Sequence, residues 1–274
     1  MVRFEVLAVG RELLIGRTLN TNAHWFGRRL ALLGTMINEI TTVDDDLDEI
    51  ATGLRACLGR RPDVLVVVGG LGPTPDDMTL RGIARGLGKR LRLNRAALEL
   101  VREHYAMRGM RQIEITTARK KMATLPTGAE PLRNEVGTAP GARIDVGRTT
   151  VFCLPGVPSE MRNICARFVI PEVRRRLGKL YRRAVRMKME GILESALAPI
   201  IATELKRHPG MYIKSHPRGA REGRSRIELD VVSVKGSKSE AERVCTSVAK
   251  EMAEAVVAAG AKIESATGFG QEGA

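Results

Sequence analysis

The residues with the clearest chemical potential are Gly69-Gly70-Leu71-Gly72-Pro73-Thr74-Pro75-Asp76-Asp77. Three glycines fall within four positions, two prolines follow, and two adjacent carboxylates close the stretch. Glycine lets backbone N–H groups approach a phosphate closely, and a helix starting near Thr79 would aim its positive end at the same point. Carboxylates beside such a cradle suit Mg²⁺. The alternative is a tight turn in which Asp caps the next helix and Thr79 assists. A second cluster, Val43-Asp44-Asp45-Asp46, offers three acids to a metal or a nucleophile, or else an ordinary helix cap. A third, Gly10-Arg11-Glu12-Leu13-Leu14-Ile15-Gly16 followed by Asn20 and Asn22, can read the hydrogen-bonding edges of a ligand; helix capping is the plainer role for the asparagines.

Each cluster follows a segment that reads as a strand. Phe4-Glu5-Val6-Leu7-Ala8-Val9 ends at Gly10, residues 36–43 are rich in β-branched side chains, and Val64-Leu65-Val66-Val67-Val68 is the unbroken apolar run of a strand covered on both faces. Helical spacing appears at residues 22–33, 47–58 and 79–87, with Gly34 ending the first. Strand and helix in alternation predict right-handed crossovers and a mainly parallel sheet, with ligands at the carboxyl ends of its strands. Strands two and three are expected to lie close together, bringing both acid clusters to one mouth. Further helices are expected at 95–108 and 114–122, and strands at 142–146 and 150–154 around Gly147-Arg148. Leu154-Pro155-Gly156-Val157-Pro158 is a second rigid loop, with Ser159 as the cap of a helix to 169.

Beyond the basic stretch 174–183 the pattern changes. Strands at 186–190, 211–215 and 226–234 with helices at 194–207 and 239–259 describe a small βαββα unit. The expected division is residues 1–178, 179–264 and a Gly-rich disordered tail at 265–274.

Composition narrows the function. With 45 Lys plus Arg against 31 Asp plus Glu, the net charge is +14. Nucleic acid is nonetheless not expected as a partner: aromatics are 3 %, too few for base stacking, and the basic residues are dispersed. An anionic small molecule and an Arg-rich solvated surface account for the charge instead. No apolar run approaches a membrane span of about 20 residues, and the first residues have no signal-peptide layout; a cytoplasmic protein is expected. Cys57, Cys153, Cys165 and Cys245 lack metal-site spacing and read as buried apolar residues.

Taken together, several motifs resemble a known family. They are Gly10-x-Glu12-Leu13-Leu14-x-Gly16, Asn20-Thr21-Asn22, Val43-x-Asp45 and Gly69-Gly70-Leu71-Gly72-Pro73-Thr74-x-Asp76-Asp77-x-Thr79. To these add Asn134-Glu135-Val136-Gly137-Thr138-Ala139-Pro140-Gly141 and Leu154-Pro155-Gly156-Val157-Pro158-Ser159-Glu160. In the smaller unit they are Gly191-Ile192-Leu193-Glu194-Ser195 and Tyr212-Ile213-Lys214-Ser215-His216-Pro217-Arg218-Gly219. The set is similar to the competence-damage CinA family, whose N-terminal region is a molybdopterin-binding domain of the MoaB/Mog type. The resemblance implies a three-layer α/β domain over about residues 4–178. Relatives in cofactor synthesis adenylylate molybdopterin with MgATP, and their essential aspartates match Asp45 and Asp77. CinA proteins are associated with metal-dependent ADP-ribose pyrophosphatase activity, and relatives are commonly oligomeric. Many also carry a C-terminal deamidase domain, an activity not expected of these residues.

The expected site therefore comprises Asp45, Asp77 and Asp76 as catalytic residues, with Asp45 and Asp77 holding a divalent metal, Mg²⁺ first. A phosphate-bearing nucleotide or pterin would meet Gly10, Glu12, Asn22, Gly69, Gly70, Gly72, Pro73, Thr74, Thr79, Pro155, Gly156 and Ser159. Hydrolysis of a nucleotide pyrophosphate such as ADP-ribose leads. Molybdopterin binding or adenylyl transfer, and a non-catalytic binding module, are the rivals.

Overall fold

The computed structural model describes residues 2–110, 114–221 and 223–268. It divides into two compact units, one of residues 1–30 and 35–177, the other of residues 31–34 and 178–274.

The first unit is built on a six-stranded sheet. Its strands are β1 (Phe4–Val9), β2 (Ile37–Val43), β3 (Val64–Val68), β6 (Glu130–Leu132), β7 (Gly141–Val146) and β8 (Thr149–Leu154), in the order β2-β1-β3-β8-β7-β6. β2, β1, β3 and β8 run parallel, while β7 and β6 pair antiparallel at one edge. β3 is central and every one of its residues is buried, as the apolar run requires. β1 lies between β2 and β3. The two acid clusters thus flank β1 and do not follow adjacent strands. On one face α3 (Leu47–Gly59), α4 (Thr79–Gly86) and α5 (Arg95–Met107) close over Leu7, Leu65, Val67, Val151 and Cys153 in a single core. On the other, Phe26 of α2 (Thr21–Leu32) packs its ring 5.7 Å from that of Phe4. Sheet between helices gives the expected three layers.

Three short strands were not anticipated: β6, and the pair β4 (Leu91–Leu93) and β5 (Thr124–Pro126), which form a separate two-stranded ribbon. Short α1 (Arg11–Leu14) precedes all three in the chain, and α6 (Thr117–Met122) lies between β4 and β5. The helix expected at 159–169 is longer. α7 (Pro158–Ile164) continues through a π turn at Cys165–Val169 into α8 (Ile170–Leu177). Arg174, Arg175 and Arg176 therefore lie within a helix, where Glu172 pairs with Arg175 and Arg176.

Glu172 is nearly buried and accepts hydrogen bonds from Arg175 at 2.7 and 2.9 Å and from Arg176 at 2.6 Å. These donors, Arg175 foremost, hold its carboxyl down at about 2. The unfolded carboxyl titrates near 4.3. Its contribution to stability is thus fully present above about pH 4.3 and is lost as pH falls towards 2. We predict that Glu172→Gln lowers stability by on the order of 2 kcal/mol at pH 7 and by little at pH 2. Urea denaturation at both pH values checks this; an equal loss at both would remove the charge from the explanation.

The second unit is α+β. β9 (Tyr181–Glu190), β10 (Tyr212–Arg221), β11 (Arg224–Lys235) and β12 (Lys262–Gly268) form an antiparallel sheet in the order β10-β11-β9-β12. α9 (Glu194–Arg207) and α10 (Lys238–Ala258) cover it with Leu197, Val248 and Met252 in the core. The tail expected from 265 is corrected by β12, which carries the chain through Gly268 in register with β9. Residues 269–274 lie outside the described residues.

All four cysteines are free and buried, and burial pushes the Cys153 thiol up to about 12. Among the described residues, no helix is long and apolar enough to cross a membrane.

Candidate functional site

The carboxyl ends of β1, β2, β3 and β8 open onto a cavity of about 300 Å³. Its wall includes Glu12, Asn22, Asp45, Gly69, Gly70, Asp76, Asp77 and Gly156. Eight of the expected site residues therefore meet in one place. A second cavity, of about 450 Å³, lies against the same loop and is lined by Gly70, Gly72, Pro73, Asp77, Pro155 and Gly156 together with Tyr105, Thr138 and Glu160. Gly70, Asp77 and Gly156 belong to both.

The close approach of loops depends on two glycines. Gly69 has φ +118°, and a Cβ there would overlap the Val9 carbonyl oxygen. Gly70 has φ +57°, and its Cβ would come within 2.5 Å of the Thr79 hydroxyl. Thr79 is fully buried beneath Gly70 and donates its N–H to the Gly70 carbonyl at 3.2 Å. It supports the loop from below and lines neither cavity.

Asp77 does not cap α4; the cap position is Met78, with no side-chain bond. Its Oδ2 accepts from the Thr74 N–H at 2.8 Å and the Thr74 hydroxyl at 2.5 Å. Thr74 thus orients Asp77 and lines neither cavity. The acids after β2 divide their work. Asp46 caps α3 by accepting from Asp48 and Glu49, Asp44 takes the Arg11 guanidinium at 2.7 Å, and Asp45 accepts the Arg11 N–H at 2.9 Å beside the cavity. Partial burial raises the Asp45 carboxyl above its ordinary value, as do the nearby charges of Glu12, Asp44 and Asp76. Hard oxygen donors gathered together, with like charges around Asp45, suit a divalent cation such as Mg²⁺. Among the described residues these acids do not close into a group of three within 4.8 Å of one another. Mg²⁺ needs no such cage, since it commonly takes one or two carboxylates and completes its shell with phosphate and water.

The asparagines also separate. Asn20 accepts from the Ala23 N–H at 2.9 Å as a cap, whereas Asn22 Nδ2 donates to the Gly156 carbonyl at 2.8 Å and joins the first turn of α2 to the loop after β8. Gly10 lines neither cavity, but a side chain there would collide with the Glu12 carboxylate. The expected Ser159 cap is corrected: α7 begins at Pro158 with Val157 in the cap position and no side-chain bond, and Ser159 lines neither cavity. A proline at the first helical position, with its preset φ, places the cap two residues earlier than expected.

Lys121 was missed. Its ammonium donates to the Gly72 carbonyl at 3.3 Å and to the Thr74 carbonyl, so it holds the glycine loop by its backbone. Desolvation lowers its pKa, with Asp77 and Asp76 opposing. Tyr105 was also missed; its ring carries the Arg119 guanidinium 4.4 Å from the centroid. The loop at 134–141, singled out for its motif, is organised by Asn134, which donates to the Ala139 carbonyl at 2.9 Å and to Glu160 at 2.6 Å.

Comparisons with known proteins agree with this architecture. Residues 5–175 match the model of the probable molybdopterin binding domain. A protein of Metallosphaera sedula is 42% identical over 253 residues, which is 92% of this chain and 93% of that protein. One of Aeropyrum pernix is 43% identical over 228 residues, 83% and 84% of the two chains. The crystal structure of the protein CinA of Thermoplasma acidophilum, of unknown function, superposes with a TM-score of 0.57 at 40% identity, covering 62% of this chain and 97% of that one. The chain accordingly belongs to the CinA family, and its first unit is a molybdopterin-binding-type domain.

Proposed function

We propose that the protein is a metal-dependent hydrolase of nucleotide pyrophosphates, with ADP-ribose as the reference substrate. The observation that carries this reading is the pair of cavities meeting at Gly70, Asp77 and Gly156. A ligand with two bulky ends and a pyrophosphate between them matches that shape. One end fills the cavity beside Glu12 and Asn22, the other lies against Tyr105 and Thr138, and the phosphates cross the glycine loop. Backbone N–H groups at Gly70 and Gly72 would bind phosphate oxygens. Asp45 and Asp77 would hold Mg²⁺, which supplies charge neutralisation and orientation of the phosphates. Asp76 lines the first cavity next to Asp77, where it would orient a water towards phosphorus. Attack of that water on one phosphorus breaks the bridging P–O bond and leaves AMP and ribose 5-phosphate. Positioning and electrostatic stabilisation account for most of such catalysis.

The second reading is binding or adenylylation of molybdopterin at the same loop. It is favoured by the domain match over residues 5–175. Incubation with ADP-ribose and Mg²⁺ separates the two: the leading reading expects AMP to accumulate and a chelator to stop it, whereas a molybdopterin-specific protein leaves ADP-ribose intact.

A further inference from the structure

Outside the candidate site, the second unit brings together three side chains that the sequence alone did not single out. Glu204 lies in the last turn of α9, His208 directly follows that helix, and Glu251 lies on α10. His208 Nε2 is 3.0 Å from Glu251 Oε2 and 3.5 Å from Glu204 Oε2. One donor atom from each residue lies within 4.8 Å of the others.

Glu204 is only 3 % exposed, an unusual setting for a carboxylate, and its Oε2 has no hydrogen-bond partner. A buried carboxylate oxygen without a partner is costly. The imidazole does not relieve it, since a single Nε2–H serves Glu251 at 3.0 Å. The outer oxygens are both fixed. Arg207 donates to Glu204 Oε1 at 3.1 Å, and the Ser247 hydroxyl donates to Glu251 Oε1 at 2.9 Å. Both Oε2 atoms are thereby turned towards the ring nitrogen. Such outer hydrogen bonds are how proteins orient metal ligands.

The spacing is also that of a coordination sphere. Ligand atoms ~2.1 Å from a tetrahedral centre lie about 3.4 Å apart. The observed 3.0 and 3.5 Å bracket this value. An imidazole among carboxylates suits a transition ion better than Mg²⁺ or Ca²⁺. His208 and Glu251 are 27 % and 37 % exposed in their side chains, which gives an ion a route in and leaves the fourth position to water.

We infer that Glu204, His208 and Glu251 form a binding site for a divalent transition-metal ion of the Zn²⁺ class, which clips the C-terminal end of α9 to α10. The competing occupant is a proton on His208, which would make the cluster an ordinary salt bridge.

The test is a Zn²⁺ titration of the full chain, stripped of metal, against a chromophoric chelator. Wild type, His208→Ala, Glu251→Gln and Asp77→Asn are compared, with melting temperature recorded with and without Zn²⁺. We expect one equivalent of Zn²⁺ in wild type that is retained in Asp77→Asn, unaffected by excess Mg²⁺, and weakened at least 100-fold in the other two variants. Zn²⁺ should raise the melting temperature of wild type and leave that of His208→Ala and Glu251→Gln unchanged. Glu251 is partly exposed, so its replacement keeps the test valid if His208→Ala folds poorly. Wild type that binds no Zn²⁺, unchanged binding in Glu251→Gln, or a loss confined to Asp77→Asn would overturn the site.

Discussion

Asp77→Asn should reduce Mg²⁺-dependent turnover of a nucleotide pyrophosphate by roughly a hundredfold or more while leaving the fold intact. The asparagine Oδ1 can still accept from the Thr74 N–H and hydroxyl, which now bond to Asp77 at 2.8 and 2.5 Å. Stability should therefore change by about 1 kcal/mol or less. What is lost is a negative charge at the junction of the two cavities, and with it a hard metal ligand. If charge neutralisation is needed in the transition state, the effect falls mainly on kcat. Paired measurements of hydrolysis rate and melting temperature decide this. Full activity in a well-folded variant would exclude Asp77 as a metal ligand.

Gly69→Ala should be the most damaging single-methyl substitution at the mouth. The residue combines φ +118° with a Cβ position overlapping the backbone oxygen of Val9, so neither rotation of a side chain nor a small shift relieves the clash. Separation of β1 from β3 is the only remedy, and these strands share the core of the sheet. A loss of on the order of 3 kcal/mol or more is expected, seen as a drop in melting temperature of roughly 10 °C. Gly16→Ala is the control. It has φ +71° but no atom within 4 Å of its Cβ, so only backbone strain of about 1 kcal/mol applies. Equal losses in the two variants would show that conformation alone, and not the approach of the two strands, sets the requirement.

The parts of the fold that were legible in sequence are those where one physical pattern dominates. Val64–Val68 is apolar at every position because both faces are covered, and the helices flanking the sheet repeat their apolar residues at helical spacing. β4, β5 and β6 escaped because three residues carry too little alternation to register. β12 escaped because it is a largely exposed edge strand, which needs no buried face. At the site, the meeting of the two acid clusters at one mouth was legible from the strand ends, whereas Asp45 and Asp77 in particular were singled out by the family resemblance. The division of labour among Asp44, Asp45 and Asp46 was not legible, since three identical side chains are distinguished only by the partners that reach them: Arg11 for two and the α3 N-terminus for the third. Lys121 and Tyr105 lie on helices far along the chain, and only the tertiary path brings them to the glycine loop. Glu204, His208 and Glu251 likewise meet between the end of α9 and α10, the last two being 43 positions apart in the chain.

The most direct test of the proposed function is phosphorus NMR of ADP-ribose incubated with the wild-type chain and Mg²⁺. The pyrophosphate signals should give way to the two monophosphate signals of AMP and ribose 5-phosphate, with the reaction halted by a chelator and restored by Mg²⁺. Pyrophosphate signals that persist unchanged with Mg²⁺ and with other common divalent ions would contradict hydrolysis and leave molybdopterin chemistry or ligand binding without turnover as the function of the site.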